Sequence, residues 1–183
     1  MADERWALDA SDGELLIRTG VTGRAARMGH RLTIAMRRWQ ITVVWKDDKP
    51  ASAKLTVEVD SFEVLHGEGG VGALSAAEKA LVRSNALRAL DAGRFPRICF
   101  AAESIQKTGS GYRLIGKLHI HGRTRDREID LQTDDLGDLW RISTGATVRQ
   151  SDFGVKPYSL LMGSVKVADE VTVSFSATRP KAA

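Results

Sequence analysis

The chain has 183 residues, 43% of them hydrophobic and 27% charged, a balance that excludes extensive disorder and suits one globular domain over residues 1–183. Its net charge of +4 comes without any run of five or more Lys or Arg, and acids are spread among the bases, so nucleic acid is not an expected partner. No apolar run reaches the length of a membrane span and the opening Met-Ala-Asp-Glu-Arg-Trp has no apolar signal region, so the chain reads as cytoplasmic and not membrane-embedded. Cys99 is the single cysteine, which excludes an intrachain disulfide and reads as a small hydrophobe on a strand. Residues 1–4 and 180–183 offer little to pack.

Almost everything else follows period two, in which residues i and i+2 share a face. Strands over 6–8 and 14–19 open the chain, broken at Ser11-Asp12-Gly13. A basic connection follows over 20–29, where Arg18, Arg24, Arg27, His30 and Arg31 are expected to be solvated or salt-bridged. Leu32, Ile34 and Met36 alternate next, then Trp39, Ile41, Val43 and Trp45. A turn at Asp47-Asp48-Lys49-Pro50 leads to Leu55, Val57 and Val59. Residues 67–72 hold four glycines and read as a flexible loop.

Ser75, with Glu78 three residues on, makes a capping box and starts a helix over about 75–91. Ala77, Ala80, Leu81, Leu87 and Leu90 form its apolar stripe, and Gly93 is expected to cap it ahead of Pro96. Strands resume over 98–105, turn through Lys107-Thr108-Gly109-Ser110-Gly111, and continue with Tyr112, Leu114, Gly116, Leu118 and Ile120 on one face. Ile129 and Leu131 come next; Ile142, Thr144, Ala146 and Val148 follow a turn over 134–138. After an irregular apolar stretch over 153–167, Val171, Val173, Phe175 and Ala177 line one side of the last strand. A sheet with one apolar face must bury it. The expected fold is therefore all-β, a single antiparallel β-barrel of about eight strands with one helix packed across it.

Three runs resemble the YceI-like family, which is lipocalin-like and binds polyisoprenoid lipids. Arg94-Phe95-Pro96-Arg97-Ile98-Cys99-Phe100 is similar to that family's tyrosine-proline-x-isoleucine-x-phenylalanine at the start of the strand after its helix. Gly116-Lys117-Leu118-His119-Ile120-His121-Gly122-Arg123-Thr124 is similar to its G-x-L-T-I-x-G-V-T run. Gln150-Ser151-Asp152-Phe153-Gly154 matches its arginine-serine-aspartate-phenylalanine-glycine, with Gln150 for arginine. Trp6 to Asp9, His30 followed by Trp39, and Asp60-Ser61 support the match. His119 replaces the usual threonine, and Arg125-Asp126-Arg127 replaces a common proline-containing stretch. The Gly-rich run at 67–72 is extra, and the family's frequent signal peptide is missing.

The resemblance implies non-catalytic binding of an isoprenoid or other long-chain lipid inside the barrel, for storage, sequestration or transfer, with a homodimer as a further implication and no cofactor. The apolar faces place Ile34, Met36, Ile41, Val43, Val57, Phe100, Leu114, Leu118, Ile120, Val173 and Phe175 on the cavity wall. Gly116 would leave room for a ligand there, or mark a bulge in a packed barrel. Phe153, Leu161 and Met162 are expected to line or shut one end, with Leu81, Leu87 and Leu90 of the helix closing an entrance. Met28, Met36 and Met162 would supply adaptable wall atoms. Two other readings stay open. His119 and His121 form a His-x-His pair able to share a transition metal, although alternation turns them away from the cavity. A filled barrel acting as a protein-interaction module is the third. No G-x-S-x-G, P-loop or H-E-x-x-H run occurs, so the chain is not expected to be an enzyme.

Overall fold

The computed structural model describes residues 3–181. Its first six strands are β1 (Glu4–Asp9), β2 (Gly13–Thr22), β3 (His30–Met36), β4 (Trp39–Lys46), β5 (Lys49–Glu58) and β6 (Phe62–Gly69). Helix α1 (Ala76–Ala89) follows, and then β7 (Arg97–Lys107), β8 (Gly111–Ile120), β9 (Arg123–Asp135), β10 (Leu139–Arg149), β11 (Ser159–Leu160) and β12 (Val165–Pro180). All twelve join one antiparallel sheet in the order β1-β4-β5-β7-β8-β9-β10-β12-β2-β3-β6, with β11 a spur on β12. β1 and β6 are the ends of that path, so the sheet is an open, curled half-barrel with one helix across it.

Twelve segments replace the expected eight or so because three long strands bend and the two-residue β11 adds a spur. β1 and β2, β3 and β4, and β5 and β6 are each one course of chain interrupted for two or three residues. At the bend, Arg37 N–H donates to the Ser61 carbonyl (3.1 Å) and Glu58 N–H to the Arg38 carbonyl (3.0 Å), carrying the ladder across the gap. Period two survives a bend of this kind, so the apolar face remains continuous while the strand count rises.

That face builds two clusters. In the larger, Leu8, Leu15, Ile34, Met36, Trp39, Val57, Phe62, Val64, Phe175 and Ala177 are buried together. Trp39 meets Phe175 edge-on, 5.3 Å between ring centres at 78°, the arrangement that ring quadrupoles favour. Val148, Phe153 and Val155 make the smaller cluster. Burying each such side chain contributes about 1.5–3 kcal/mol.

The helix starts as expected. Glu78 N–H donates to Ser75 Oγ (3.1 Å), and Ser75 N–H donates back to the Glu78 carboxylate (2.6 Å). Its end differs. Asp91, not Gly93, takes the left-handed conformation (φ 48°), while Ala92 N–H reaches the Leu87 carbonyl (3.0 Å) in a Schellman closure. Leu74, Val82, Ala86 and Leu87 lie against the larger cluster, and Ala89 and Leu90 against the smaller. Leu81 is 61% exposed and points to solvent, which removes it from the expected entrance. Arg83 donates to the carbonyls of Phe62 (3.0 Å) and Asp60 (2.6 Å), tying the helix to the free edge of β6. The expected loose ends are partly strand: Glu4 begins β1, Pro180 ends β12, and Lys181 N–H donates to the Asp138 carbonyl. Residues 1, 2, 182 and 183 lie outside the described residues.

Candidate functional site

Directly opposed residues on neighbouring strands share a face, so the register identifies the concave wall row by row. One row runs Leu8, Ile41, Leu55, Phe100, Leu118 and Arg125 across β1, β4, β5, β7, β8 and β9. The next runs Trp6, Val43, Ala53, Ala102, Gly116 and Arg127. On the far wall Ala146 opposes Val173, which opposes Ile17 and then Ile34. Ile34, Met36, Val57, Phe100, Phe153 and Phe175 are buried. Ile41, Val43, Leu114, Leu118, Ile120 and Val173 are only half-buried. A side chain fully packed by its neighbours would be dry. These six leave accessible apolar surface on the inner wall, and no residue of α1 is buried beneath it either.

Of the two readings of Gly116, room for a ligand or a bulge, the geometry favours the bulge. A Cβ there would sit 2.0 Å from the Ala101 carbonyl oxygen and 2.7 Å from Ala102 Cα. The ladder between β7 and β8 shifts register at this point, between Ala102 and Ser104. The glycine therefore permits a close backbone approach at a bulge, and room for a ligand is not its reason. Leu161 and Met162 also leave the predicted wall. Both adopt left-handed backbone (φ 51° and 55°) and are 59% and 106% exposed. Met28 too is exposed, at 55%, so Met36 is the one of the three named methionines inside.

The two histidines separate. His119 stays on the convex face of β8, hydrogen bonded through Nδ1 to Thr124 Oγ1 (2.9 Å). His121 lies in the turn between β8 and β9 (φ 53°), with Nδ1 3.2 Å from the Phe153 carbonyl and its ring edge-on to Phe95. Leaving the strand there takes His121 off the period-two register on which the chelate depended. Among the described residues no group of three or more His, Cys, Asp or Glu is placed to hold a metal ion.

Alternation along β9 sorts its charges. On the convex face Lys117 of β8 bonds Asp126 (2.7 Å) and Arg113 bonds Asp130 (2.8 Å). Those hydrogen bonds hold both carboxyls below the usual carboxylate range. On the concave face Arg123, Arg125 and Arg127 stand opposite Ile120, Leu118 and Gly116, and among the described residues none has an ion pair. Arg125 Nε donates to the Asp152 carbonyl (3.0 Å), and the Arg123 guanidinium lies against Gly154. The sequence carried this signal as Arg-x-Arg-x-Arg at strand spacing, the period that marks one face.

The turn after β10 closes this end. Residues Gln150–Phe153 form one 3₁₀ turn, ended by Gly154 in the left-handed region (φ 68°), and Phe153 is buried. Ser151 N–H donates to Asp169 (2.8 Å) and its hydroxyl donates to the other carboxylate oxygen, holding the Asp169 pKa below the ordinary carboxylate range. Gln150, where the family has arginine, donates to the Ala168 carbonyl (3.1 Å).

The wall itself is incomplete. β9 and β10 pair only from Gln132 opposite Ser143 to Asp135 opposite Trp140. Beyond that they part, and the Thr144 hydroxyl bridges the fork to the Asp130 carbonyl (2.7 Å). A recess of about 610 Å³ lies at the fork, lined among others by Arg113, Asp130, Gln132, Ser143 and Ser174 of the convex face. Another of about 600 Å³ lies on the convex face around the β7 bulge, by Glu103, Ser104, Lys117 and Asp126. Both linings mix polar and apolar groups, and the recess at the fork reaches Leu131 and Phe175 of the inner face.

Comparison with known proteins fits this architecture. A family model described as the YceI-like domain matches residues 6–179. The crystal structure of Burkholderia cenocepacia BcnA is similar over 94% of this chain and 99% of its own, with a TM-score of 0.71 and 19% identity. The Campylobacter jejuni YCEI protein is similar over 82% of this chain and 85% of its own, with a TM-score of 0.58 and 13% identity. At such identities the likeness shows the fold. No curated protein matches.

Proposed function

Because the chain belongs to the YceI-like family, whose role is the non-catalytic binding of lipids or similar ligands inside the open barrel, we propose that it holds an isoprenoid or comparable long-chain amphiphile against its inner wall, for storage, sequestration or transfer. The observation that carries this reading is the half-buried state of Ile41, Val43, Leu114, Leu118, Ile120 and Val173 on a face otherwise built as core. Each methylene placed there adds about 0.8 kcal/mol, so a prenyl tail gains affinity without any directed hydrogen bond. Helix α1 lies across the wall with its half-buried Val82, Leu87 and Leu90 turned toward both clusters, and so would cover a bound tail.

The test is native mass spectrometry of protein purified without detergent, followed by extraction and identification of the released lipid. A stoichiometric prenyl or similar long-chain lipid is expected. A mass that stays that of the bare chain, even after incubation with farnesol and longer prenols, would sink the reading.

A further inference from the structure

Arg125 and Arg123 of β9 touch the turn after β10, yet among the described residues none of the three concave-face arginines meets an acid. Arg123, Arg125 and Arg127 repeat at every second residue, about 7 Å apart at strand rise, so each repels the next. The neighbouring strand offers them Ile120, Leu118 and Gly116. Every acid of β8 and β9 that meets a base across this pair does so on the opposite face, through Lys117–Asp126 and Arg113–Asp130. Nor is the position random. The arginines occupy the length of β9 that lacks β10 as a partner, at the margin of the opening in the wall. Leu118 and Ile120 opposite them pack on the smaller apolar cluster, and Ile129 and Leu131 continue the same face. A row of cations therefore borders an apolar trough at the place where solvent meets the interior.

That juxtaposition suits a ligand with one anionic end. Guanidinium groups bond phosphate and carboxylate oxygens through paired, charge-assisted hydrogen bonds, and two of them at this spacing can share one phosphate. We propose that Arg123, Arg125 and Arg127 form the head-group site of this protein and make it selective for amphiphiles bearing an oxyanion, phosphate above all, over neutral lipids of the same tail. Neighbouring arginines of the row hold the head, with Arg125, oriented by its bond to the Asp152 carbonyl, common to both adjacent pairs. The proposal rests on the inner wall being the tail site.

Farnesyl phosphate and farnesol share one tail and differ at the head, so their affinities are compared by titration on the full chain. Farnesyl phosphate is expected to bind at least tenfold more tightly, and raising NaCl from 50 to 500 mM is expected to weaken it while leaving farnesol unchanged. In Arg123→Gln/Arg127→Gln the preference should fall below threefold with farnesol affinity preserved, which also verifies the fold. Lys117→Gln, on the convex face, should keep it. Equal affinities in the parent protein, or a preference kept by the double variant, overturns the proposal. Inorganic phosphate displacing farnesyl phosphate at equal concentration also overturns it, in favour of a free-anion site. Failure of both prenyl probes to bind instead refutes the tail site itself.

Discussion

Replacing Gly116 with alanine separates two explanations of one residue. If the glycine only cleared space for a ligand, Gly116→Ala would leave stability unchanged and weaken lipid binding. The structure demands another outcome. The new Cβ would lie 2.0 Å from the Ala101 carbonyl oxygen, and relieving that overlap to an ordinary contact moves β7 and β8 apart by roughly 1 Å. Hydrogen bonds lengthened by that much are largely lost. Two or three such bonds at about 1 kcal/mol each, plus the disturbed packing of Ala102, give a loss of about 2–4 kcal/mol. For a chain of this size that is roughly 4–16 °C in melting temperature. Gly145→Ala is the matched control, since its Cβ would find only the Val173 carbonyl oxygen, 3.9 Å away. Urea titration monitored by tryptophan fluorescence reads both. A Gly116→Ala midpoint equal to that of Gly145→Ala would show that the close strand approach is not what the glycine serves.

Three other outcomes follow from named contacts. Ser75→Ala removes the hydroxyl that accepts from Glu78 N–H and should cost about 1 kcal/mol, read as a lower urea midpoint with an unchanged slope. Leu118→Ala should weaken farnesol about fivefold by removing wall area, whereas Leu161→Ser/Met162→Ser should leave it unchanged; equal losses in the two variants would contradict the assignment of the inner wall. Asp169 has its pKa depressed by Ser151, so this bond stabilises the fold above the ordinary carboxylate value near 3.9, and that stability is lost as pH falls through the lower folded value. Ser151→Ala should therefore be less stable than the parent at pH 7, with the gap closing at pH 3; a gap that widens in acid would reverse the sign and reject this account.

Period-two patterning revealed the strands and their inner faces because burial selects side chains one at a time. The capping box was equally legible, being a local bargain between Ser75 and Glu78. What patterning does not carry is three-dimensional proximity. The bends that split three strands leave alternation intact, so they were silent. Leu161 and Met162 are apolar, yet their backbone runs left-handed at the rim and turns them out. Gly116 sits mid-strand under either explanation, and only the approach of the Ala101 carbonyl decides between them. The arginines of β9 were written in plain alternation, but their meaning required knowing that acids sit across the other face.

One seam in the sheet joins the beginning of the chain to its end. β12 lies between β10 and β2, with Phe175 opposite Leu15 and Val173 opposite Ile17, and Arg18 reaches Ser174 over a sequence separation of 156. Closing a loop of that length is slow to begin and is rewarded only once both neighbours are in place. During synthesis the seam cannot form until the last strand leaves the ribosome. Until then β2 and β10 wait with bare edges, each an adhesive template for other nascent chains. Yield in the cell will therefore depend on the interval between translating Leu15 and translating Phe175, and on what shields those edges meanwhile.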